Sequence, residues 1–382
     1  MKTIACYVCL ICSCVSSPVL SQTQYLVTLL GNDTLAVESF EKTDDGIRAN
    51  VILRSPRTRF LSYNLDMDEN GNLTSYTAEA YEDARFETGA SNLMSVRLKG
   101  GAYEVGMNRR GEWTTLQLDY EPGILPFIDM VHWPFELAFN RAMKSGQDSV
   151  SQPLLTGSRT RPFIIAKIEA DSLTIRHPSR GVMGVKLNEQ GDILRLDASQ
   201  TTRKLTVKRV AELDMASIGS RFAALDAGGK SFGGLSGAVE ERFAFNGGEY
   251  TVSYGSPSKR GRTIFGGIVP WGQRWRTGAN RATHFSTSKD LMIGSLEVPA
   301  GEYTLFTIPE SSGGTLIINT QTGQNGRTYD KARDLGRVTM MLSEQDEVVE
   351  AFTITVEETE SGGVINLKWD QAIFSIPFRF KE

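Results

Sequence analysis

Apolar and polar residues alternate along most of the chain, in short runs separated by turn residues. From Gln24 to about Val210 the runs are punctuated by Asp-Gly and Asn-Gly pairs, as in "TLAVESFEKTDDGIRANVIL". Period-two alternation is typical of half-buried antiparallel strands, and these pairs favour hairpin turns. Beyond residue 238, short β-like runs such as "EYTVSY" and "EYTLFTI" follow one another to the C-terminus. The pattern therefore predicts β structure in both parts of the chain.

Two segments break this alternation. In "PFELAFNRAMKSG" an apolar stripe with helical spacing is formed by Phe135, Ala138, Phe139, Ala142 and Met143. Pro134 suits the first turn of a helix and Gly146 suits its end, so we predict a helix near residues 134–145 that covers one face of the N-terminal sheet. A second helical stretch, "LDMASIGSRFAALDA", leads into the glycine-rich "GGKSFGGLSG", which favours a domain boundary.

We therefore predict an all-β, mainly antiparallel fold with one or two helices. Residues 22–213 are expected to form a curled antiparallel sheet with a helix, and residues 214–237 a linker. Residues 238–382 are expected to form a β-sandwich or jelly-roll-like domain, because their strands are short and numerous. The length of 382 residues is sufficient for two such domains.

The N-terminal part also contains two similar segments. "RSPRTRFLSYNLDMDENGNLTSY" at 54–76 resembles "RHPSRGVMGVKLNEQGDILRL" at 176–196, with two residues fewer in the second turn. Either a duplication or the chance likeness of two hairpins explains the match.

The first residues are typical of an export signal. Lys2 is followed by an apolar run from Ile4 to Cys12, which is too short for a lasting membrane anchor. We predict a signal peptide over residues 1–21 and a periplasmic or extracellular protein without a transmembrane span. Lipoprotein processing at Cys14 is the alternative.

Export would leave few metal-binding side chains. All four cysteines lie in the predicted signal peptide, so the mature chain would have no disulfide, thiolate nucleophile or cysteine-bound metal. The three histidines are not spaced as a metal-binding pair. We expect neither a metal nor a cofactor.

Charge is segregated in the C-terminal part. Residues 250–289 contain seven Lys or Arg and no acid, whereas residues 338–367 contain seven Asp or Glu and no base. The basic stretch either binds an anionic partner or pairs internally with the acidic stretch. Nucleic acid is not expected as a partner, because the chain has a net charge of -4 and only one local basic patch.

The densest part of the basic stretch is "WGQRWRTGANRATHF", residues 271–285. Arginine forks bind planar oxyanions, and tryptophan faces stack on sugars and rings. We predict a ligand-binding surface formed by Arg262, Trp271, Arg274, Trp275, Arg276 and Asn280. Its expected ligand is an anionic glycan, lipid or peptide group. The tryptophans would instead be plugs if the loop only closes the end of the sandwich.

Two other functions are consistent with these residues. His284 is the titratable group nearest to this stretch, so a metal-independent hydrolase or lyase could use it as an acid or base, with Arg276 as oxyanion partner. A structural module that contacts a partner protein is the other alternative.

Four stretches of the C-terminal part resemble a known family. They are "YGSPSKRGRTIFGGIVPWGQRWRTGANRATHF", "VPAGEYTLFTIP", "TLIINTQTGQNGRTYDKARDLGRV" and "LKWDQAIFSIPF". Over about residues 239–378 the chain resembles bacterial domain-of-unknown-function family 2911. The resemblance implies an exported protein without an established reaction, and it places Arg262, Trp275, Arg276, Gly278 and Asn280 in the family signature. The segment "QNGRT" departs from the family, which often has an aromatic residue near Asn325.

Overall fold

The computed structural model of the protein describes residues 22–381. The predicted signal peptide and the alternative lipoprotein site at Cys14 lie outside the described residues. The fold is mainly antiparallel β, as predicted, and two α-helices and two separate sheets occur among the described residues. None of the helices between residues 22 and 381 is long and apolar enough to cross a membrane.

The first sheet consists of fifteen strands within residues 24–210. In chain order they are β1 (Gln24–Leu30), β2 (Asp33–Thr43), β3 (Gly46–Leu53), β4 (Arg59–Met67), β5 (Leu73–Tyr81), β6 (Ser91–Lys99), β7 (Ala102–Arg109), β8 (Glu112–Asp119), β9 (Leu125–Pro126), β10 (Ser149–Thr156), β11 (Arg159–Glu169), β12 (Ser172–His177), β13 (Gly181–Leu187), β14 (Ile193–Asp197) and β15 (Thr206–Val210). Their order in the sheet is β8-β7-β6-β5-β4-β3-β2-β1-β15-β14-β13-β12-β11-β10-β9.

This sheet is strongly curled. If it were flat, its edge strands β8 and β9 would lie roughly 65 Å apart, because neighbouring strands are separated by about 4.8 Å. The edge strands are connected by only five residues, 120–124, which span at most roughly 20 Å. The sheet therefore bends until its two edges lie near each other, as expected for the N-terminal part.

Helix α1 (Trp133–Ser145) fills the inside of the curled sheet. The predicted stripe is buried except for the half-buried Met143, and Phe135 and Phe139 lie in the same core as Phe40 of β2 and Tyr103 of β7. Gly146 ends the helix in the left-handed conformation, with φ of 68°.

A buried carboxylate caps the start of α1. The N-cap residue His132 has no side-chain cap of its own. Instead Glu38 of β2 accepts hydrogen bonds from the backbone N–H groups of His132 and Trp133, each at 2.9 Å to Oε2. A negative group here satisfies free N–H donors and complements the helix dipole, so β2 fixes where α1 begins.

The two similar sequence segments fold alike. In the β4–β5 turn the Asp68 carboxylate accepts the N–H groups of Asn70 and Asn72, and in the β13–β14 turn the Asn188 side-chain oxygen accepts those of Gln190 and Asp192. The glycine before Asn72 and the one before Asp192 both have positive φ, 76° and 81°. Both hairpins therefore use the same turn, on opposite sides of the β1–β15 junction.

Helix α2 (Met215–Ala227) occupies much of the predicted linker and packs on the outer face of the first sheet. Phe222 lies in a small core with Ile52 and Phe60, whereas the adjacent Val51 and Leu61 point into the main core. Strands β3 and β4 are thus covered on both faces.

The second sheet consists of nine strands within residues 236–380. They are β16 (Ser236–Phe245), β17 (Gly248–Pro257), β18 (Thr283–Thr287), β19 (Leu291–Ile293), β20 (Leu296–Val298), β21 (Gly301–Glu310), β22 (Gly313–Asn319), β23 (Asp334–Thr359) and β24 (Gly362–Phe380). Their order is β16-β17-β18-β21-β22-β23-β24-β19-β20.

The long strand β23 lets this sheet fold over one core. Its pairing with β24 shifts register between Glu344 and Thr353, and beyond this irregularity the N–H of Ile354 donates to the Tyr254 hydroxyl of β17. Residues of β17 and β18 consequently share a core with residues of β24, including Phe285 and Leu367. The arrangement is sandwich-like.

The two sheets meet at the beginning of the connection between β17 and β18. The Arg260 guanidinium donates to a carboxylate oxygen of Asp33 and to the carbonyl of Phe232, both at 2.7 Å, and lies 3.9 Å from the Phe232 ring centroid. The Arg260 carbonyl accepts the N–H of Asn32 at 3.0 Å. One arginine therefore ties the C-terminal half to the first hairpin.

Candidate functional site

The predicted ligand residues all lie in the 25-residue connection between β17 and β18, residues 258–282, which we call the arginine loop. Backbone hydrogen bonds hold this loop against β21: Trp275 and Thr307 exchange two, at 2.7 and 2.9 Å. The N–H of Ala279 also donates to the carbonyl of Gly255, where a Cβ would lie 2.0 Å from the Ala279 oxygen. Only glycine permits this close approach, so the loop has a fixed shape.

The arginine loop forms one wall of a cleft between the two sheets. The cleft has a volume of about 510 Å³, within the range of roughly 300–1,000 Å³ found for small-molecule sites. From the loop it is lined by Arg262, Trp275, Arg276 and Asn280, among others. The N-terminal half contributes Arg59, Thr202, Arg203 and Lys204 to the facing wall.

The cleft is cationic. Its lining includes four arginines and one lysine, and among residues 22–381 no Asp or Glu lines it. Three of the cations come from the N-terminal half and two from the arginine loop. Since low-dielectric walls concentrate the field of like charges, this concavity favours an anion.

The five cations differ in the hydrogen bonds and ion pairs that their side chains form within the protein. Arg203 is ion-paired with Asp129, Arg262 donates to the carbonyls of Ser258 and Lys259, and the Lys204 amine donates to the carbonyl of Ser199 at 3.2 Å. Within the part of the chain that the structure describes, Arg59 and Arg276 have no side-chain hydrogen bond or ion pair. These two guanidinium groups retain all their donors for a ligand.

Burial and neighbouring positive charges lower the pKa of three of the cleft cations. Burial lowers the pKa of Arg276, and the nearby Arg327 lowers it further. Burial also lowers the pKa of Lys204, with additional contributions from Arg262 and Arg276. Burial followed by repulsion from Arg260 lowers the pKa of Arg262. A bound anion would relieve each of these effects.

The cleft also has an aromatic side. The Trp275 indole lines it and donates to the carbonyl of Gly278 at 3.0 Å. Its ring is stacked with that of Trp369, whose centroid is 6.0 Å away, and touches Phe352 edge-on at 4.9 Å. Trp275 therefore packs against the sandwich core and also lines the cleft. Its two predicted roles, as a plug of the sandwich end and as part of a pocket wall, are compatible.

Two of the predicted ligand residues lie outside the cleft lining. Arg274 is exposed and packs over the Tyr329 ring, with 3.9 Å from its guanidinium carbon to the ring centroid. Trp271 is 39% exposed and stacks on Phe265 at 5.5 Å. Residues two apart share a face in a regular strand, but the arginine loop is irregular here, and Arg274 and Arg276 face different surroundings.

His284 lies in a different depression from Arg276. It is part of β18 and lines a concavity of about 330 Å³ together with Glu240, Ser253 and Glu302. Its Nε2 accepts the backbone N–H of Gly323 at 2.9 Å. Arg276 is not among the residues of that depression, so the geometry does not bring the two residues of the proposed hydrolase together.

The two segregated charge stretches do not neutralise each other through ion pairs. Lys259 pairs with Asp370, and Arg260 with Asp33. Over the described residues, no basic side chain of 250–289 forms a salt bridge with a carboxylate of 338–367. The stretches touch at Glu350, whose carboxylate accepts the backbone N–H of Arg260 at 2.8 Å.

Sequence reasoning missed the N-terminal wall of the cleft. Arg59 begins a strand, and Arg203 and Lys204 lie in the turn between β14 and β15. The adjacent Arg-Lys pair is a weak signal, because such pairs are frequent on protein surfaces. Only the docking of the two halves brings these residues to the arginine loop.

Fold and site together define a two-part, mainly β protein with a cationic cleft between its halves. Its C-terminal region, residues 237–378, matches the family described as "Protein of unknown function (DUF2911)". This match confirms the resemblance seen in the sequence. Among curated proteins, no significant match to the chain was found.

Two solved structures are similar to parts of this chain. One is a DUF1089 family protein from Pseudomonas aeruginosa, with 17% identity and a TM-score of 0.31, covering 44% of this chain and 91% of that one. The other is a β-barrel-like protein of domain of unknown function DUF1849 from Brucella abortus, with 13% identity and a TM-score of 0.32, covering 50% and 97%. Neither similarity is strong enough to bear on function.

Proposed function

We propose that this protein is a non-catalytic, exported cell-envelope protein that binds an anionic or sugar-like ligand in the cleft. The signal-like N-terminal sequence supports export. The observation that carries the binding proposal is Arg276: a half-buried guanidinium that lines an acid-free cleft and has no side-chain partner among the described residues. An unpaired buried charge is costly in the free protein, and it is useful if a ligand supplies the missing acceptor.

The arginine loop offers a matched pair of residues for the test. Arg276 lines the cleft, whereas Arg274, two positions earlier, packs outside it on Tyr329. We expect Arg276→Gln to lower the affinity for inorganic pyrophosphate about tenfold or more, since a hydrogen bond to a charged group contributes roughly 1.5–3 kcal/mol. Arg274→Gln should leave the affinity within about twofold of the original, because a distant exposed charge is screened.

Isothermal titration calorimetry at low ionic strength would measure both variants and the original protein. Equal losses in the two variants would indicate a diffuse charge effect and contradict a site at Arg276. Absence of binding by the unmodified protein to pyrophosphate, to sulfate and to galacturonic acid would refute the proposal.

A further inference from the structure

The cations of the cleft belong to both halves of the protein and lie close together. Arg262 and Arg276 of the arginine loop are near enough to Lys204 of the N-terminal half to lower its pKa. Arg59, also from the N-terminal half, lines the same cleft without a hydrogen-bonding partner among the described side chains. These cations are divided between two walls of the cleft, so the arrangement suits a ligand with two or more negative charges.

Within residues 22–381, the cavity that adjoins the cleft offers no tunnel for a lipid chain. Next to it lies an apolar cavity that shares Met130 and Arg203 with the cleft lining and includes Phe127 and Phe135. The volume of this cavity is about 30 Å³, roughly the space of one water molecule. It has no room for an acyl tail.

The remaining lining of the cleft suits a sugar ring. The Trp275 indole lies in the same wall as Arg262 and Arg276. Hydroxyl and amide groups in the lining are supplied by Ser55, Thr202, Ser236 and Asn280. Aromatic rings pack on the apolar faces of sugars, and small polar groups bind sugar hydroxyls.

We propose that the ligand is an acidic oligosaccharide, a sugar chain with a carboxylate on successive residues, held across the two halves of the protein with Lys204 as a binding residue of the N-terminal half. This inference rests on the proposed function of the cleft. It adds that the site is composite: the arginine loop binds one acid group and Lys204 binds the next. Recognition therefore depends on the number of charges in the chain.

The test compares galacturonic acid with its linear trimer by calorimetry on the full mature chain. We expect the trimer to bind at least about tenfold more tightly than the monomer. Lys204→Met should remove most of that gain, whereas Arg276→Gln should weaken both ligands. Lys208→Met is the matched control, because Lys208 is exposed on β15 and does not line the cleft, and it should change neither affinity.

The outcomes separate this inference from the proposed function. Equal affinities for monomer and trimer, or a trimer affinity unchanged in Lys204→Met, would overturn the composite site while leaving an anion site at Arg276. Binding of pyrophosphate without binding of the trimer would overturn the sugar assignment, as would a tri-glutamate peptide that binds more tightly than the trimer. If pyrophosphate, sulfate and both galacturonates all fail to bind, the proposed function falls as well.

Discussion

Glu136 is a carboxylate in the first turn of α1 with no exposed surface. It is ion-paired with Arg209 of β15 and lies 3.2 Å from the Lys42 amine. Burial nevertheless raises the pKa of Glu136 to about 7, because desolvation outweighs the attraction of the two cations. The core of the N-terminal half therefore contains a group that titrates near neutral pH.

Glu136 should make stability decrease with rising pH. Its pKa is higher in the folded chain than its ordinary value of 4.5, so its stabilising contribution is complete below about pH 4.5 and is lost as the pH rises through 7. We expect Glu136→Gln to remove this dependence. The free energy of unfolding of the variant minus that of the original protein should increase by up to about 3 kcal/mol from pH 5 to pH 8. Urea titrations at each pH would measure it.

His177 provides a control of opposite sign. Burial, with a further contribution from Arg180, lowers the pKa of His177 from 6.5 to about 4. Its contribution is present above pH 6.5 and is lost as the pH falls through 4. His177→Gln should therefore leave the decline caused by Glu136 intact. Parallel stability curves for the Glu136→Gln variant and the original protein would contradict the assigned pKa of Glu136.

Arg274 and Arg276 should also differ in what they contribute to stability. Arg274→Gln loses the cation–π contact with Tyr329 and should destabilise the ligand-free protein by about 0.5–1 kcal/mol. Arg276→Gln removes a half-buried cation that has no partner among the described side chains and should not destabilise the ligand-free protein. Chemical denaturation of the two ligand-free variants measures this. A larger loss in Arg276→Gln would show that this side chain has a structural partner.

At the scale of elements, α2 is positioned by a glycine. A Cβ on Gly219 would lie 2.3 Å from the Ala84 Cβ and 2.9 Å from the Phe60 ring. The helix therefore lies as close to the outer face of the sheet as its backbone allows. Asp214 fixes its start, since its carboxylate accepts the N–H of Ser217 at 2.9 Å.

Gly219→Ala should destabilise the protein although alanine favours helices. In an isolated helix the change would stabilise by about 0.5–1 kcal/mol, but here overpacking should cost roughly 1–3 kcal/mol. Gly228→Ala is the control, because Gly228 has φ of −80° and a Cβ there would be 3.4 Å from its nearest neighbour. The Gly228→Ala variant should differ from the original protein by no more than about 0.5 kcal/mol in free energy of unfolding. Equal effects in urea unfolding would contradict the close packing of α2.

The sequence predicted α1 more fully than α2. The stripe around Phe135, Pro134 in the first turn and Gly146 at the end are local signals, and all three act in the folded chain as expected. The docking of α2 depends on which face of β3 and β4 it meets. Consecutive apolar residues such as Val51 and Ile52 indicate that both faces are covered, but they do not indicate what covers the outer one.

At the scale of the whole molecule, the cleft exists only while the two halves stay together. Arg260 is the clearest tie between them, through Asp33, Phe232 and the backbone of Asn32. The tie lies next to Arg262 in the chain, so the junction and the cleft wall belong to one segment. Rigidity at the junction should therefore determine the shape of the cleft.

Arg260→Gln should separate the unfolding of the two halves. Loss of charge-assisted hydrogen bonds of roughly 1.5–3 kcal/mol at the junction should lower the first transition in calorimetry and increase the radius of gyration in X-ray scattering. Arg242→Gln is the control, because Arg242 is exposed and its ion pair within residues 22–381 is with Glu240 on its own strand. A single unchanged transition and an unchanged radius of gyration in Arg260→Gln would contradict this role.

Part of the candidate site could be predicted from the local sequence pattern. The acid-free run directed attention to Arg262, Trp275, Arg276 and Asn280, all of which line the cleft. It could not distinguish Arg276 from Arg274, because residues two apart share a face in a regular strand, and only the irregular path of the loop against β21 separates them. Nor could it identify Lys204, since the contact between distant segments results from tertiary packing.

The division of the cleft has a consequence for how such a protein changes over time. The family match covers residues 237–378, a segment that contains Arg262 and Arg276 but not Arg59 or Lys204. Genetic recombination that moved this segment onto another partner domain would transfer the arginine-loop wall of the cleft and replace the other wall. The lining of the cleft would then change through the new neighbour, without any substitution in the arginine loop.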